Sequence, residues 1–195
     1  MKRLLSPSWV LVLAVMASGC AAATTPAATT PKDASLTAIT TETLEPYSCG
    51  GITRMHTLGG VFLASQPSAA DFEQAKVGGV KTVINLRLDS EQSGFDERAT
   101  VTGLGLAYVH LPWNGAEQLT DEVFTRAREL LSTAERPLLV HCASANRVGA
   151  LWIPWRVLDG GRSLEEAVAE AKTIGLKTGD YEAKARDYVA RNARR

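Results

Sequence analysis

The chain has 195 residues with 21 basic and 21 acidic side chains, so its formal net charge at neutral pH is zero. This length suffices for one domain with a hydrophobic core, and the balanced charge argues against a general nucleic-acid binder. Three cysteines, at positions 20, 49 and 142, are too few for a disulfide scaffold and lack the paired spacing of a zinc site. We expect no metal or other cofactor, no nucleic-acid partner and a monomer.

Residues 1–19 predict an export signal. A basic start, Met1-Lys2-Arg3, precedes an apolar stretch over residues 4–17, and small residues then lead to Cys20. Cleavage before Cys20 resembles bacterial lipoprotein processing, in which that cysteine is lipidated. We therefore expect a lipid-anchored protein that faces the periplasm or the cell exterior. The alternative is an ordinary signal peptide and a soluble periplasmic or secreted protein.

Residues 20–45 predict a flexible tether. They are rich in alanine and threonine, include two prolines and have almost no large apolar side chain. Such a segment cannot bury enough apolar surface to fold by itself. The folded domain is therefore assigned to residues 46–195.

Strand-like and helix-like segments alternate along this domain. Ser68 and Asp71 mark one helix start, and Ser163 with Glu166 forms the capping box of a later helix. The predicted strands are 52–56, 61–64, 81–87, 106–111 and 137–142, and the predicted helices begin near 68, 95, 120, 148, 163 and 181. This alternation predicts an α/β fold, a three-layer domain with a mostly parallel central sheet flanked by helices.

The segment 138–150 joins the last predicted strand to an apolar helix through a short polar turn. Cys142 closes the strand and Arg147 opens the helix. Backbone N–H groups and a helix N-terminus at such a turn favour an anion, and a guanidinium grips phosphate or sulfate oxygens. A cysteine beside an anion-binding turn indicates nucleophilic attack on an oxyanion ester. The alternative is a buried structural cysteine with an arginine nearby.

Four segments resemble the cysteine-dependent protein tyrosine and dual-specificity phosphatase superfamily, namely residues 64–68, 79–87, 105–112 and 140–147. The nearest branch is bacterial, has a shortened signature loop, and is related to the phosphatase-like domains of beta-lactamase-hydrolase-like proteins. The resemblance implies a tyrosine-phosphatase-like fold, a phosphorylated substrate and a phosphocysteine intermediate. In that mechanism Cys142 is the nucleophile, Arg147 binds the phosphate oxygens and His141 supports the thiolate.

The resemblance also implies which residues contact the substrate. The turn residues surround the phosphate. From the residues themselves, Trp113 belongs either to the core or to the wall of the pocket, where it is the best candidate to line the substrate mouth. Arg87 either reaches the same anion or pairs with Glu91 as loop scaffolding. The residues expected at the substrate are Ala143, Ser144, Ala145, Asn146, Trp113 and Arg87.

The turn departs from the superfamily pattern at several positions. It reads Cys-x4-Arg in place of Cys-x5-Arg, Ala145 stands where the superfamily has glycine, and Val148 where it has serine or threonine. Asn114 lies roughly where the superfamily places its aspartate general acid, and an amide cannot donate that proton. Glu117 is the nearest replacement acid, and Asp121, better explained as a helix-dipole partner, is the next.

Two alternative functions follow from these departures, and a possible disulfide follows from the expected compartment. Rhodanese-type sulfurtransferases resemble Cys-x4-Arg in loop length, with a persulfide on the cysteine, although their Asp-x-Arg and Gly-His-Ile segments are absent here. A tethered domain that binds phosphate groups without turnover also fits the missing acid. In an oxidising compartment Cys49 could form a disulfide with Cys142 and inactivate the site.

Overall fold

The computed structural model describes residues 21–22, 41–91 and 94–193, which form one mixed sheet with helices on both faces. The strands in this part of the chain are β1 (Ala21–Ala22), β2 (Glu45–Ser48), β3 (Met55–Leu58), β4 (Val61–Ala64), β5 (Thr82–Asn85), β6 (Ala107–His110) and β7 (Leu138–His141). The helices are α1 (Ala69–Val77), α2 (Glu97–Gly103), α3 (Gly115–Gln118), α4 (Asp121–Thr133), α5 (Asn146–Leu158), α6 (Leu164–Ile174) and α7 (Gly179–Asn192), and Asp89–Glu91 form a 3-10 turn.

The sheet has the strand order β1-β2-β3-β4-β7-β5-β6. The strands β4, β7, β5 and β6 are parallel to one another, and β1 to β3 extend the sheet beyond β4 in antiparallel fashion. This arrangement confirms the predicted α/β fold with its mostly parallel centre. Strand β7 lies between β4 and β5, and its last residue, His141, pairs with Ala64 and Asn85. The residue after β7 therefore lies where three parallel strands end together.

Alternating side chains of the sheet face two separate hydrophobic cores. In β7, Leu138 and Val140 pack in the core formed with helices α4 to α7. Leu139, between them, packs in the second core with Phe72 of α1 and Val101 of α2. Because successive strand residues point to opposite faces, a fully apolar strand buries both of its sides. The domain has the three layers that the sequence predicts.

The predicted helix starts have direct structural causes. Ser68 and Asp71 form a capping box at α1, and Ser163 and Glu166 form one at α6. Helices α5 and α6 also need a glycine where they meet, since a Cβ at Gly149 would lie only 2.7 Å from a backbone oxygen of α6.

The amino-terminal part of the sheet differs from the prediction. The strand expected at 52–56 is β3 at 55–58, because the N–H of Ile52 donates to Cys49 O in a turn and Leu58 pairs with Val61 in a hairpin. Ala21–Ala22, within the segment predicted as a tether, pairs with Tyr47 and Ser48 of β2. The predicted signal and Cys20 lie outside the described residues. In the part of the chain that the structure describes, no helix has the length and apolar character to cross a membrane.

Candidate functional site

Cys142 is a free thiol at the carboxyl end of the central strand. Its backbone N–H donates to the carbonyl of Ala64 at the end of the neighbouring strand β4 (3.4 Å), and its side chain is almost fully buried. The exposed residues Ala143 and Ser144 follow, and α5 begins at Asn146. The structure thus places the predicted nucleophile at the strand-to-helix turn.

The turn closes through a left-handed residue. Ala145 has a φ of 65° and is the N-cap of α5, so the position that the superfamily gives to glycine does require a positive φ. Alanine in this conformation costs roughly 1 kcal/mol through contact between Cβ and the backbone. The Ala145 methyl is fully buried, and burial of one methyl contributes about 0.8 kcal/mol in the opposite sense.

These two contributions predict how Ala145 responds to substitution. We expect Ala145→Gly to change the free energy of unfolding by less than about 1 kcal/mol, because relief of strain and loss of the methyl nearly cancel. Ala145→Val should destabilise by about 2 kcal/mol or more, since a β-branched residue suits neither the backbone nor the buried space beside Gly175. Urea unfolding of both variants measures the difference. Equal losses in the two variants would contradict a strained left-handed turn.

Arg147 is held in one orientation by three acceptors. Its side chain is buried, and its Nη1 donates to the carbonyls of Leu86 (3.1 Å) and Trp113 (2.9 Å). Both Nη atoms donate to the carboxylate of Glu91, at 2.8 Å and 2.7 Å. This bidentate geometry fixes the plane of the guanidinium beside the turn before any substrate arrives.

The charges of this pair stabilise each other. Burial by itself lowers the pKa of Arg147, but the hydrogen bonds that it donates to Glu91 and its electrostatic interaction with Cys142 raise that pKa above its ordinary value. The hydrogen bond from Arg147 holds the pKa of Glu91 below its usual range, with a smaller contribution from the nearby charge of Arg87. Both groups are therefore ionised at neutral pH.

His141 lies beneath the turn and is completely buried. Its Nε2 is 2.9 Å from the Oε1 of Glu97, which is also buried, and its ring packs edge-on against Phe72. Glu97 is the first residue of α2, and the sequence analysis did not select it. No motif identifies it, because the contact joins two residues 44 positions apart.

Arg87 contacts Gln66 and not Glu91, and its contact with the substrate anion stays a prediction. Its Nη1 donates to Gln66 Oε1 (2.6 Å) and its guanidinium is largely buried. The expected pair between Arg87 and Glu91 is replaced, since Glu91 binds Arg147. Arg87 thus contributes to the support of the turn from the loop after β5.

Of the two positions predicted for Trp113, the structure shows the core and not the mouth of the site. Its side chain has no exposed surface and packs against Tyr181 with ring centroids 5.0 Å apart. A closed aromatic core under the loop after β6 leaves this side chain no surface for a ligand. The contribution of Trp113 to the site is its carbonyl, which orients Arg147.

The candidate acids lie on the loop and helices after β6. Asn114 is the N-cap of α3, with its Oδ1 accepting from the N–H of Gly115. Glu117 is exposed on α3, and its role as general acid stays a prediction. Asp121 forms a bidentate ion pair with Arg191 of α7, which accounts for this carboxylate as a link between helices.

A polar cavity of about 310 Å³ lies beside the Arg147–Glu91 pair, at the carboxyl ends of β5 and β6. Its walls carry Asp89 and Asp96, two carboxylates that the sequence analysis did not consider, together with Arg98 and Tyr108. Arg98 stacks on the Tyr108 ring at 4.8 Å. The spacing of these residues along the chain gives no sign that they share one cavity.

The hypothesis of a disulfide between Cys49 and Cys142 is wrong. Cys49 is disulfide-bonded, whereas Cys142 carries a free thiol, so the bond at Cys49 does not involve the nucleophile. Within residues 41–91 and 94–193, no three side chains of the His, Cys, Asp and Glu types group as metal ligands.

The sequence matches a family over its central part. The family described as "Beta-lactamase hydrolase-like protein, phosphatase-like domain" matches residues 55–156. The beta-lactamase hydrolase-like protein of Agrobacterium fabrum is 29% identical over 118 residues, covering 58% of this chain and 27% of that protein. Its counterpart in Xylella fastidiosa strain Temecula1 is 31% identical over 121 residues, covering 60% and 28%. The match thus spans little more than a quarter of these relatives.

Solved structures share the fold. A DUF442 protein of Shewanella putrefaciens CN-32 superposes with a TM-score of 0.62 at 23% identity, covering 72% of this chain and 94% of its own. TpbA of P. aeruginosa superposes with a TM-score of 0.55 at 25% identity, covering 70% of this chain and 83% of its own. The core catalytic domain of the S. cerevisiae PP-IP phosphatase SIW14 superposes with a TM-score of 0.56 at 19% identity, covering 67% of this chain and 81% of its own.

Proposed function

Because the chain belongs to the phosphatase-like domain family of the beta-lactamase hydrolase-like proteins, we propose that it hydrolyses a phosphate monoester through a phosphocysteine at Cys142. The observation that carries this proposal is the free thiol at the end of β7 beside the fixed guanidinium of Arg147. The proposed substrate class is that of tyrosine and dual-specificity phosphatases. TpbA, which shares the fold, has been solved in complex with phosphotyrosine, and this supports the class.

The first step is attack of the Cys142 thiolate on phosphorus. A phosphorus–sulfur bond forms while the bond from phosphorus to the ester oxygen breaks, and the leaving oxygen takes up a proton. In the transition state the phosphoryl charge is spread over the three equatorial oxygens, to which Arg147 and the N–H groups of the turn donate. Because Glu91 has already oriented Arg147, little reorganisation is needed at that moment.

The second step is hydrolysis of the phosphocysteine. Water attacks phosphorus, the phosphorus–sulfur bond breaks, and Cys142 leaves as a thiolate while inorganic phosphate is released. Val148 is buried in the position where the superfamily has a hydroxyl to assist this departure. We propose Glu117 as the acid of the first step. General acid catalysis typically contributes ~10²–10⁴-fold, so a poorly placed acid gives slow turnover without abolishing it.

The reaction class is tested with two substrates and one variant. We expect phosphate release from an aryl phosphate, loss of that release in Cys142→Ser, and no sulfur transfer from thiosulfate to cyanide. Sulfur transfer without phosphate release would establish the sulfurtransferase alternative. Phosphate or vanadate binding that requires Arg147, with neither reaction, would establish the non-catalytic alternative.

We also propose that the protein works outside the cytoplasm. The disulfide at Cys49 supports this, because disulfides form and persist in oxidising compartments. Lipid attachment at Cys20, as its sequence context predicts, requires a free thiol there. It therefore competes with a bond between Cys20 and Cys49, since the chain has three cysteines and Cys142 is free. Mass spectrometry of the exported protein decides this point: a diacylglyceryl group on Cys20 supports the anchor, and a Cys20–Cys49 crosslinked peptide excludes it.

A further inference from the structure

We propose that Glu97 is a positioning residue for the nucleophile, acting through His141 and the turn that follows it. This inference rests on the proposed function of Cys142 and assigns a role to a residue outside the signature loop. Glu97 begins α2, which packs on the face of the sheet opposite to α5. The turn is therefore supported from both faces of the sheet.

Glu97 and His141 are both buried where they contact each other. His141 has no exposed surface, Glu97 is 8% exposed, and their Oε1 and Nε2 atoms are 2.9 Å apart. A carboxylate in such a place is stable only when its oxygens accept hydrogen bonds. The second oxygen, Oε2, accepts from the side-chain amide of Gln66 at 3.0 Å.

The direction of these hydrogen bonds is fixed by an arginine. Arg87 can only donate, so the Gln66 atom that faces its Nη1 at 2.6 Å is the amide oxygen. The amide nitrogen of Gln66 must then face Glu97, which accepts from it. An ionised Glu97 accepts in the same way from His141 Nε2–H. The order Arg87 to Gln66 to Glu97 thus leaves His141 with its proton on Nε2.

The same glutamine binds the turn itself. The backbone N–H of Gln66 donates to the carbonyl of Ala143, the residue after the nucleophile, at 3.3 Å. Ser65, next to it, forms a β-bridge with Ser144. Glu97 is therefore connected directly to the residue before Cys142 and, through Gln66, to the residue after it.

The charges around Glu97 keep it ionised. Burial acts to raise the pKa of its carboxyl group, but the hydrogen bond from His141 and the electrostatic interaction with its ring, the hydrogen bond from Gln66 and the charge of Arg87 together lower it below the ordinary value. Tyr108, on β6, faces the same carboxylate, and its pKa is raised by burial and by the charge of Glu97.

The substitution Glu97→Gln tests this role with little change in shape. A glutamine at this position has one acceptor oxygen, so it can accept from His141 or from Gln66 but not from both. In either orientation the new amide NH2 group would face the side-chain nitrogen of His141 or of Gln66, so two hydrogen-bond donors would meet in a buried place without an acceptor. Glu97→Asp keeps two acceptor oxygens on a shorter side chain. Glu73→Gln, on the exposed side of α1, is the matched control.

Two measurements on the full chain separate positioning from simple structural support. Nitrogen NMR of labelled histidines, with His141→Asn to identify the signals, should show a slowly exchanging Nε2–H in the wild type that is lost in Glu97→Gln. Steady-state kinetics on an aryl phosphate should show kcat reduced about tenfold with KM little changed, by analogy with the hydrogen-bond partners of metal-bound histidines. Glu97→Asp should recover part of kcat, and Glu73→Gln should match the wild type.

The outcomes distinguish this inference from the proposed function. Alkylation of Cys142 by iodoacetate reports its nucleophilicity without turnover and should slow in Glu97→Gln. If the wild type releases no phosphate, the proposed function fails, and slowed alkylation with the altered His141 signal still supports the role of Glu97. An unchanged His141 signal, or rates of turnover and alkylation equal to those of Glu73→Gln, would overturn it.

Discussion

Replacement of Arg147 by lysine should lower kcat/KM for an aryl phosphate by about 10³-fold or more, although the positive charge is kept. The arginine donates at the same time to two carbonyls and to both oxygens of Glu91, in one plane. An ammonium group is a compact point charge that cannot reproduce this planar fork. The loss would therefore measure how far the proposed binding of phosphate by Arg147 depends on the orientation that these contacts give to its guanidinium.

The chain offers a matched control on the same helix. Arg156 of α5 is 6% exposed and donates bidentately to Glu170, at 2.6 Å and 2.7 Å, at the end of the helix away from the turn. Arg156→Lys removes a similar buried pair, so it should cost comparable stability and leave kcat/KM within a few-fold of the wild type. A loss of less than about tenfold in Arg147→Lys would show that charge alone suffices and would contradict the assigned role.

Substitution of Glu91 by glutamine should reduce both stability and turnover. Arg147 would keep its buried charge without a compensating carboxylate, a change that typically destabilises by about 3–5 kcal/mol. Its guanidinium would also lose the bidentate carboxylate, keeping the two carbonyls and at most one amide oxygen as acceptors, and we expect kcat/KM to fall about 10- to 100-fold. Glu170→Gln, which removes the partner of Arg156, should destabilise in the same way and leave the reaction unaffected.

The Glu91 pair also predicts a dependence of stability on pH. The folded pKa of Glu91 lies below its unfolded value, principally because of the hydrogen bond from Arg147. The contribution of the pair is therefore fully present above the unfolded pKa and is lost as pH falls through the folded pKa. Urea midpoints measured from neutral to acidic pH should fall less steeply in Glu91→Gln than in the wild type. Parallel curves would mean that Glu91 is not ion-paired in the folded protein.

Local patterns predicted most of the fold because each element carries its own signals. Ser68 with Asp71 and Ser163 with Glu166 satisfy backbone N–H groups within three residues, so their capping boxes are visible in the sequence. The strand at 52–56 was misplaced because its position depends on pairing with β4 across a hairpin. Pairing between strands is a non-local property that periodicity does not record.

The site was predictable only where it is contiguous in the chain. Cys142 and Arg147 lie within one turn, and the glycine-like position of Ala145 followed from its alignment with the superfamily signature. Glu97 and Gln66 reach the turn from α2 and from the loop after β4, and their role depends on the order in which the strands assemble. Trp113 could be predicted either in the core or at the mouth of the site, because an aromatic residue beside a site can be buried or exposed with the same local sequence.

Trapping of the phosphorylated enzyme tests whether Cys142 attacks phosphorus. The full chain is mixed with a radiolabelled aryl phosphate, quenched in acid during turnover and digested. The phosphocysteine mechanism predicts one phosphoryl group on the peptide that contains Cys142 and none on that peptide in Cys142→Ser. It predicts a smaller amount of labelled peptide in Arg147→Lys. Phosphate release with no label on that peptide, or a label that persists in Cys142→Ser, would contradict the phosphocysteine mechanism.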